Sequence, residues 1–466
     1  MSDAFLTRLR VIVGGAGLRT EAADMAPHLT DWRGNFVGTA LAVVSPANVE
    51  EVSAVVRLCA ETKTPIVPQG GNTGMVGGAT PDRSGLAVVL SLKRMNRIRS
   101  IDLANAALTV EAGCILQTIQ ETAAENGAFF PLSLAAEGSC TIGGNLSTNA
   151  GGTAVLRYGN ARELVLGLEA VLPDGRIWHG LSALRKDNTG YDLKHLLMGA
   201  EGTLGVITAA VLKLYPAPQR TATALIAVKD PDAAVALLGV MRATFGDRLT
   251  GMELMSGVCL ELVRKYFPDT PTFFGERQAW QVLVELTDTM KNTPLEDALA
   301  EALVPMLDSG GAPDAVIAQS KAQAAAMWTV REQIPDAEKR EGKSVKHDIS
   351  VPISRIAEFI SSTDPKLQAH FPDATLICFG HIGDGNLHYN VSFPGVAATP
   401  THSREANKIV YAALDERAGS ISAEHGIGQL KRDEITQHKS AVALDAMRAI
   451  KRALDPDGIM NPGKVL

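Results

Sequence analysis

Aromatic residues make up only 5% of the 466 residues, cysteines number five, and basic charge is in deficit. Each shortage excludes something. Cys59, Cys114, Cys140, Cys259 and Cys378 stand far apart, odd in number and without a C-x-x-C pair, so neither a zinc ribbon nor a disulfide framework is indicated. Lys plus Arg total 44 against 51 Asp plus Glu, a formal charge of −7, so no long basic surface is available for a nucleic acid. No apolar run approaches the roughly 18 residues of a membrane span. Arg8 and Arg10 precede only Val11-Ile12-Val13 before Gly14, Gly15 and Gly17 intervene, too short a run for a signal-peptide core. The expectation is a cytoplasmic protein in a reducing compartment.

What is present is an ordinary globular composition. Hydrophobic residues reach 46%, and the 43 glycines and 23 prolines are scattered rather than repeated, which excludes a disordered or collagen-like chain. The length suits about three domain-sized units. Glycine clusters punctuate the first half and thin out after Tyr215-Pro216-Ala217-Pro218, where the main boundary is placed. Before it, helices are predicted over 49–59, with Asn48 as N-cap, and over 115–125, and strands over 65–68, 86–92 and 107–111. Beyond it, helical stretches (232–244, 294–307, 322–331, 354–369) alternate with strand-like runs (281–286, 315–318, 344–351, 375–379), the pattern of an α+β domain, and 440–454 is again helical. Val11 to Gly17 imitates the first turn of a Rossmann site. Thr20 stands where that turn needs Gly or Ala, and Asp31 comes too early to hold a ribose, so the segment reads as a helix end and turn.

Three places carry chemistry. The loop Gln69-Gly70-Gly71-Asn72-Thr73-Gly74-Met75-Val76-Gly77-Gly78 offers consecutive backbone amides to an anion. A second stretch, Ser139 to Gly152, mixes glycines with hydroxyl and amide side chains, and with Glu201-Gly202-Thr203-Leu204-Gly205 it points to a large phosphorylated cofactor without identifying it. The sharpest cluster is His381-Ile382-Gly383-Asp384-Gly385-Asn386-Leu387-His388-Tyr389-Asn390. Asp-Gly between apolar runs predicts a hairpin, and with Asp384 and Gly385 at the turn His381 faces His388, close enough for both rings to bind one metal ion. Hydrogen bonding alone is the plainer use of the pair. Glu424, in Ser422-Ala423-Glu424-His425-Gly426-Ile427-Gly428, can complete a site suited to Zn²⁺, with Mn²⁺ and Fe²⁺ also open, while His425 handles a proton. A metal-dependent hydrolase and an electron-relay subunit would use some of the same groups.

These stretches, with Lys186-Asp187-Asn188-Thr189-Gly190-Tyr191-Asp192-Leu193 and Asn461-Pro462-Gly463-Lys464, resemble in fixed order the FAD-linked D-2-hydroxy-acid dehydrogenases of the vanillyl-alcohol-oxidase type, most of all the branch acting on D-2-hydroxyglutarate. The resemblance runs from about Thr30 to the last residue. It implies an α+β fold: an FAD-binding domain of two α+β subdomains over 1–217, an antiparallel-sheet substrate and metal domain over 218–420, and a helical C-terminal segment over 421–466 that returns to the flavin. It implies FAD held by Pro68, Gly70, Gly71, Asn72, Thr73, Gly74, Ser139, Thr141, Gly144, Asn145, Thr148, Glu201, Ile207 and Asn461. It further implies a metal on His381, His388 and Glu424, His425 as catalytic base in contact with substrate, and Arg331, Lys346 and Asn390 as substrate-binding residues. The implied reaction oxidises a D-2-hydroxy dicarboxylate, D-2-hydroxyglutarate or D-malate, with D-lactate or glycolate as the alternative. Electrons would pass to an acceptor such as an electron-transfer flavoprotein or a quinone, and the resemblance leaves room for a homodimer. Two departures matter: Pro335 stands where the hydroxyglutarate branch often has a threonine, and the 70–74 loop lacks the histidine that links flavin covalently in some relatives.

Overall fold

The computed structural model describes residues 2–396 and 398–466. They divide into two compact units: the first comprises the residues up to Gly152, Gly159–Ala217 and Glu424–Leu466, the second Thr153–Tyr158 and Pro218–Ala423.

The first unit contains two main sheets. In one, the strands Leu18–Arg19, Ala42–Val44, Val88–Ser91 and Ile66–Gln69 lie side by side in that order, the last three parallel. Parallel strands covered on both faces should be apolar throughout. Ala42, Val43, Val44, Val88, Val89 and Leu90 are accordingly all fully buried. The helix Val49–Thr62 starts where predicted, the Asn48 side chain accepting the Glu51 amide. The other sheet is antiparallel, in the order Ile98–Asp102, Ala107–Glu111, Val206–Lys213, Val165–Val171, Ile177–Gly180. Val11 to Val13 end the helix Ser2–Val13, and Gly14 then turns at φ 70°, so the helix-end reading of that segment is the right one. The C-terminal stretch joins this unit through Met460, bridged to Ile66, and the Lys451 ammonium, which donates to the carbonyls of Thr203 and Met460.

The second unit is built on one antiparallel sheet in the order Asp314–Ile317, Arg220–Val228, Trp280–Asp288, Leu249–Ser256, Thr375–His381, Asn386–Ser392, Ser344–Val345, with Asp348–Ser350 also paired to Asn386–Ser392. Alternate residues of each strand supply two different cores. Ala224, Ile226, Leu254, Val284 and Cys378 pack in the core that includes Leu237, Leu299, Phe359 and Val410 from four helices. Leu225, Met255, Leu283, Ile377 and Phe379 face the other way, toward Cys259, Met327, Ile334 and Ala337. Both faces being covered, 281–286 and 375–379 read as apolar runs and were visible in the sequence, whereas Arg220–Val228 and Leu249–Ser256 were not among the predicted runs. The run 344–351 is not one strand: it breaks at Lys346-His347, where the His347 amide donates to the Asn390 side chain at 3.0 Å instead of continuing the ladder.

Candidate active site

In the first unit the two glycine-rich stretches meet at close range. A Cβ on Gly70 would lie 2.3 Å from Thr141 Oγ1, and one on Gly71 would lie 2.2 Å from the Ser139 carbonyl oxygen. Only glycine permits that approach. The loop is braced from behind: the Gln69 side chain donates to the carbonyls of His28 and Ala79, and the Asn72 amide donates to those of Pro27 and Thr30. Asn72 therefore shapes the loop with its side chain, and the backbone amides of 70–74 are what the loop can offer to an anion. Thr73 is half-buried and Gly74 exposed at the loop's crest, and Pro68 lies in the Ile66–Gln69 strand.

Ser139, at the surface, and buried Thr141 precede the short helix Ile142–Thr148, which carries Gly144, Asn145 and Thr148. The Thr148 hydroxyl donates to the Gly144 carbonyl, and Ile207 is buried in the Val206–Lys213 strand. Two side-chain oxygens, Thr141 Oγ1 and Asn461 Oδ1, are buried with no hydrogen-bond partner. Buried acceptors of that kind call for a partner, and a bound dinucleotide supplies donors. The set fits FAD.

Glu201 does something the sequence did not show. Its carboxylate accepts the amides of Ile427 at 2.7 Å and Gly428 at 2.8 Å, so it fixes the loop that carries Glu424 and His425. Burial pushes its carboxyl above the usual range, partly offset by those two amides and by Lys431. Gly428, at φ 52°, packs so tightly that a Cβ would lie 2.3 Å from the Val76 carbonyl oxygen. Asn461 donates to the carbonyls of Gly78 at 2.9 Å and Glu201 at 2.7 Å, and Gln429 to those of Gly77 and Thr80. The glycine loop, the Glu201 turn and the C-terminal loop are thus one hydrogen-bonded assembly. Glu424 Oε1 accepts the Gly152 amide at 2.9 Å, which orients that carboxylate.

In the second unit the hairpin register differs from the sequence expectation. His388 faces Phe379, not His381, and the turn is four residues, Ile382 to Gly385, not two. Asp384 caps the turn by accepting the Asn386 amide at 3.0 Å, and the Gly385 carbonyl accepts the Val351 amide. His381 pairs instead with Glu253 of the neighbouring strand. A slip of two residues preserves the face of every side chain. The rings of His381 and His388 are therefore still neighbours, with centroids 6.0 Å apart.

Glu253, 1% exposed, binds His381 Nδ1 through Oε1 and Arg331 Nε through Oε2 at 2.7 Å. Burial opposes its ionisation, but the charges and hydrogen bonds of His381 and Arg331 outweigh that and hold its carboxyl at about 2. With Nδ1 facing a carboxylate, the nitrogen His381 could offer to a metal is Nε2, the arrangement common to metal-bound histidines. The donor set fits a divalent metal. Arg331, in the last turn of the helix Lys321–Glu332, stacks over the Phe379 ring at 4.8 Å.

Lys346 and Asn390 converge on a second buried acid. Glu338, fully buried, accepts Lys346 Nζ at 2.9 Å and Asn390 Nδ2 at 3.0 Å, and binds the Ser344 hydroxyl. Neither Glu253 nor Glu338 was singled out from the sequence. The available signal was a lone acid inside Met252-Glu253-Leu254, an apolar strand. Pro335 is tolerated because it falls in the first turn of the helix Ile334–Glu341.

Residues 40–180 match the FAD binding domain family model, and residues 217–465 match that for the C-terminal domain of FAD linked oxidases. The chain is 38% identical over 468 aligned residues to a D-2-hydroxyglutarate dehydrogenase of Xanthomonas citri pv. viticola, covering 100% of this chain and 97% of that one. The chain belongs to the FAD-linked D-2-hydroxy-acid dehydrogenases. A putative mitochondrial D-lactate dehydrogenase of Schizosaccharomyces pombe is 34% identical, with 97% of this chain and 87% of the relative covered. The fold matches that of p-cresol methylhydroxylase with a TM-score of 0.78 at 18% identity, over 99% of this chain and 96% of the other. As a member of the family the chain is an FAD-dependent oxidoreductase acting on CH–OH donors, which removes the hydrolase reading. Among the described residues no helix is long and apolar enough to cross a membrane.

Proposed function

We propose that this dehydrogenase oxidises a D-2-hydroxy dicarboxylate, D-2-hydroxyglutarate or D-malate, to the 2-oxo acid, using non-covalent FAD and one divalent metal, most readily zinc. His381, His388 and Glu424 would hold the metal. Chain continuity supports that set: the Ala423 amide donates to the carbonyl of Asp348, which lies opposite His388 in the sheet, and Glu424 is the next residue. The observation that carries the dicarboxylate reading is Arg331. It is 8% exposed, its Nε is taken by Glu253, and its η nitrogens donate to no protein group among the described residues. A guanidinium edge so placed suits a carboxylate.

When bound, FAD supplies the acceptor for the C2 hydride, and the metal lowers the pKa of the substrate's 2-hydroxyl. His425 takes the hydroxyl proton, a task suited to an imidazole near neutral pH. Arg331, with Lys346 and Asn390, binds the distal carboxylate. An electron-transfer flavoprotein or a quinone would reoxidise the flavin. Steady-state assays with D-2-hydroxyglutarate, D-malate and D-lactate and an artificial dye test the reading, and D-lactate as the best of the three would overturn it.

Because the 70–74 loop has no histidine and grips through backbone amides, acid precipitation is expected to release the yellow flavin into the supernatant. Flavin retained in the pellet would mean a covalent link.

The pairing of Lys346 with Glu338 revises the energetic argument for substrate size. Both cations already have buried carboxylate partners, so D-lactate need not leave a bare charge behind. Discrimination then comes from the hydrogen bonds that the distal carboxylate of the larger substrate makes. Lys346→Ala is expected to cost D-2-hydroxyglutarate roughly 1.5–3 kcal/mol in kcat/KM, the range of a charge-assisted hydrogen bond, and D-lactate much less. Equal losses would remove the lysine from the distal-carboxylate site.

A further inference from the structure

Glu253 touches the two halves of the proposed site within the second unit, a proposed metal ligand with one carboxylate oxygen and the proposed carboxylate reader with the other. We infer that Glu253 is a positioning residue that couples metal binding to recognition of the substrate's distal carboxylate. This rests on the reading above and deepens it.

The geometry leaves Glu253 little freedom. It lies on the strand Leu249–Ser256 directly opposite His381, so backbone pairing fixes where its carboxylate starts. Its Oε1 binds His381 Nδ1, which settles the ring's orientation and the nitrogen turned toward a metal. Its Oε2 accepts Arg331 Nε at 2.7 Å, which settles the guanidinium plane and aims the η edge. Phe379 lies against Arg331 and against the other proposed histidine ligand: the guanidinium lies 4.8 Å from its ring centre, and its ring lies 4.9 Å from that of His388. A shift of His381 is therefore transmitted to Arg331 through one rigid carboxylate, and the reverse.

A plain counter-ion for Arg331 needs no second contact. If that were the whole role, losing the charge would disturb only dicarboxylate binding. If Glu253 served only His381, the loss would disturb only the metal. Coupling requires that both move together, and that Arg331, which is not among the proposed ligands, still influences metal affinity.

The test uses wild-type holoenzyme beside Glu253→Gln and Arg331→Gln, with FAD content and thermal melting as controls for folding. Zinc affinity is read by competition with a chelator of known strength, and KM and kcat are measured for D-2-hydroxyglutarate and D-lactate. Glu253→Gln is expected to weaken zinc binding by about 10- to 100-fold, the usual loss when a partner of a ligating histidine is removed, and to raise KM for the dicarboxylate more than for lactate. Arg331→Gln is expected to weaken zinc binding by at least about threefold, a coupling normal for contacting residues. If Glu253→Gln does not fold, the Arg331→Gln zinc affinity decides alone. Wild-type zinc affinity in Arg331→Gln, or a Glu253→Gln enzyme in which only one of the two quantities moves, overturns the coupling. Wild-type enzyme that binds no zinc or turns over no dicarboxylate would overturn the underlying reading instead.

Discussion

His425→Ala is expected to lose on the order of 10²- to 10⁴-fold of kcat, the range for a lost general base, while keeping FAD and metal. The loop around it is held by groups the substitution leaves alone. Glu201 grips the amides of Ile427 and Gly428, and the Val76 carbonyl accepts the amides of Gln429 and Leu430. Glu424 accepts the Gly152 amide, a contact the substitution does not remove. Removing the imidazole should therefore delete a function and leave the backbone where it was. The pH profile gives a second readout: the acid limb of kcat should disappear or move in the mutant. A mutant with near-normal kcat and an unmoved acid limb would place the base elsewhere.

The parts of the protein legible in the sequence were those set by local rules. Asn48 announced its helix because an N-cap needs only the next few residues, and the strand 107–111 matched because it lies in an alternating apolar pattern. The hairpin was half legible. Asp384-Gly385 marked the turn, but its length depends on which neighbouring strand claims His381, and that strand lies far away in sequence. The face of the two histidines survived because the error was an even number of residues. Glu253 was not legible for the same physical reason. A buried acid is explained only by its partners, and those of Glu253 stand 78 and 128 residues away. Glu201 was placed among the flavin-lining residues by resemblance, and only the fold shows its carboxylate holding a loop 226 residues further on.

Removing the metal is expected to abolish turnover and leave the flavin in place. The proton on an aliphatic hydroxyl resembles that of water, whose pKa falls from 15.7 to about 7 on a catalytic divalent metal. Without the metal the hydroxyl holds its proton far more tightly as the hydride leaves, so the loss should exceed that of the His425 mutant. The flavin should stay because its proposed contacts, the 70–74 loop, the 139–148 stretch, Pro68, Glu201, Ile207 and Asn461, include no proposed metal ligand. Dialysis against a strong chelator, followed by absorbance at the flavin bands and a dye-coupled assay, separates the two effects. Adding back zinc, manganese or cobalt should restore rate to different degrees, and the best of them identifies the working ion. His388→Ala should reproduce the stripped state without a chelator, since loss of one imidazole leaves the hairpin's pairing to Phe379 intact. Stripped protein with full activity would remove the metal from the mechanism, and the two histidines would then be read as hydrogen-bonding groups of the substrate pocket.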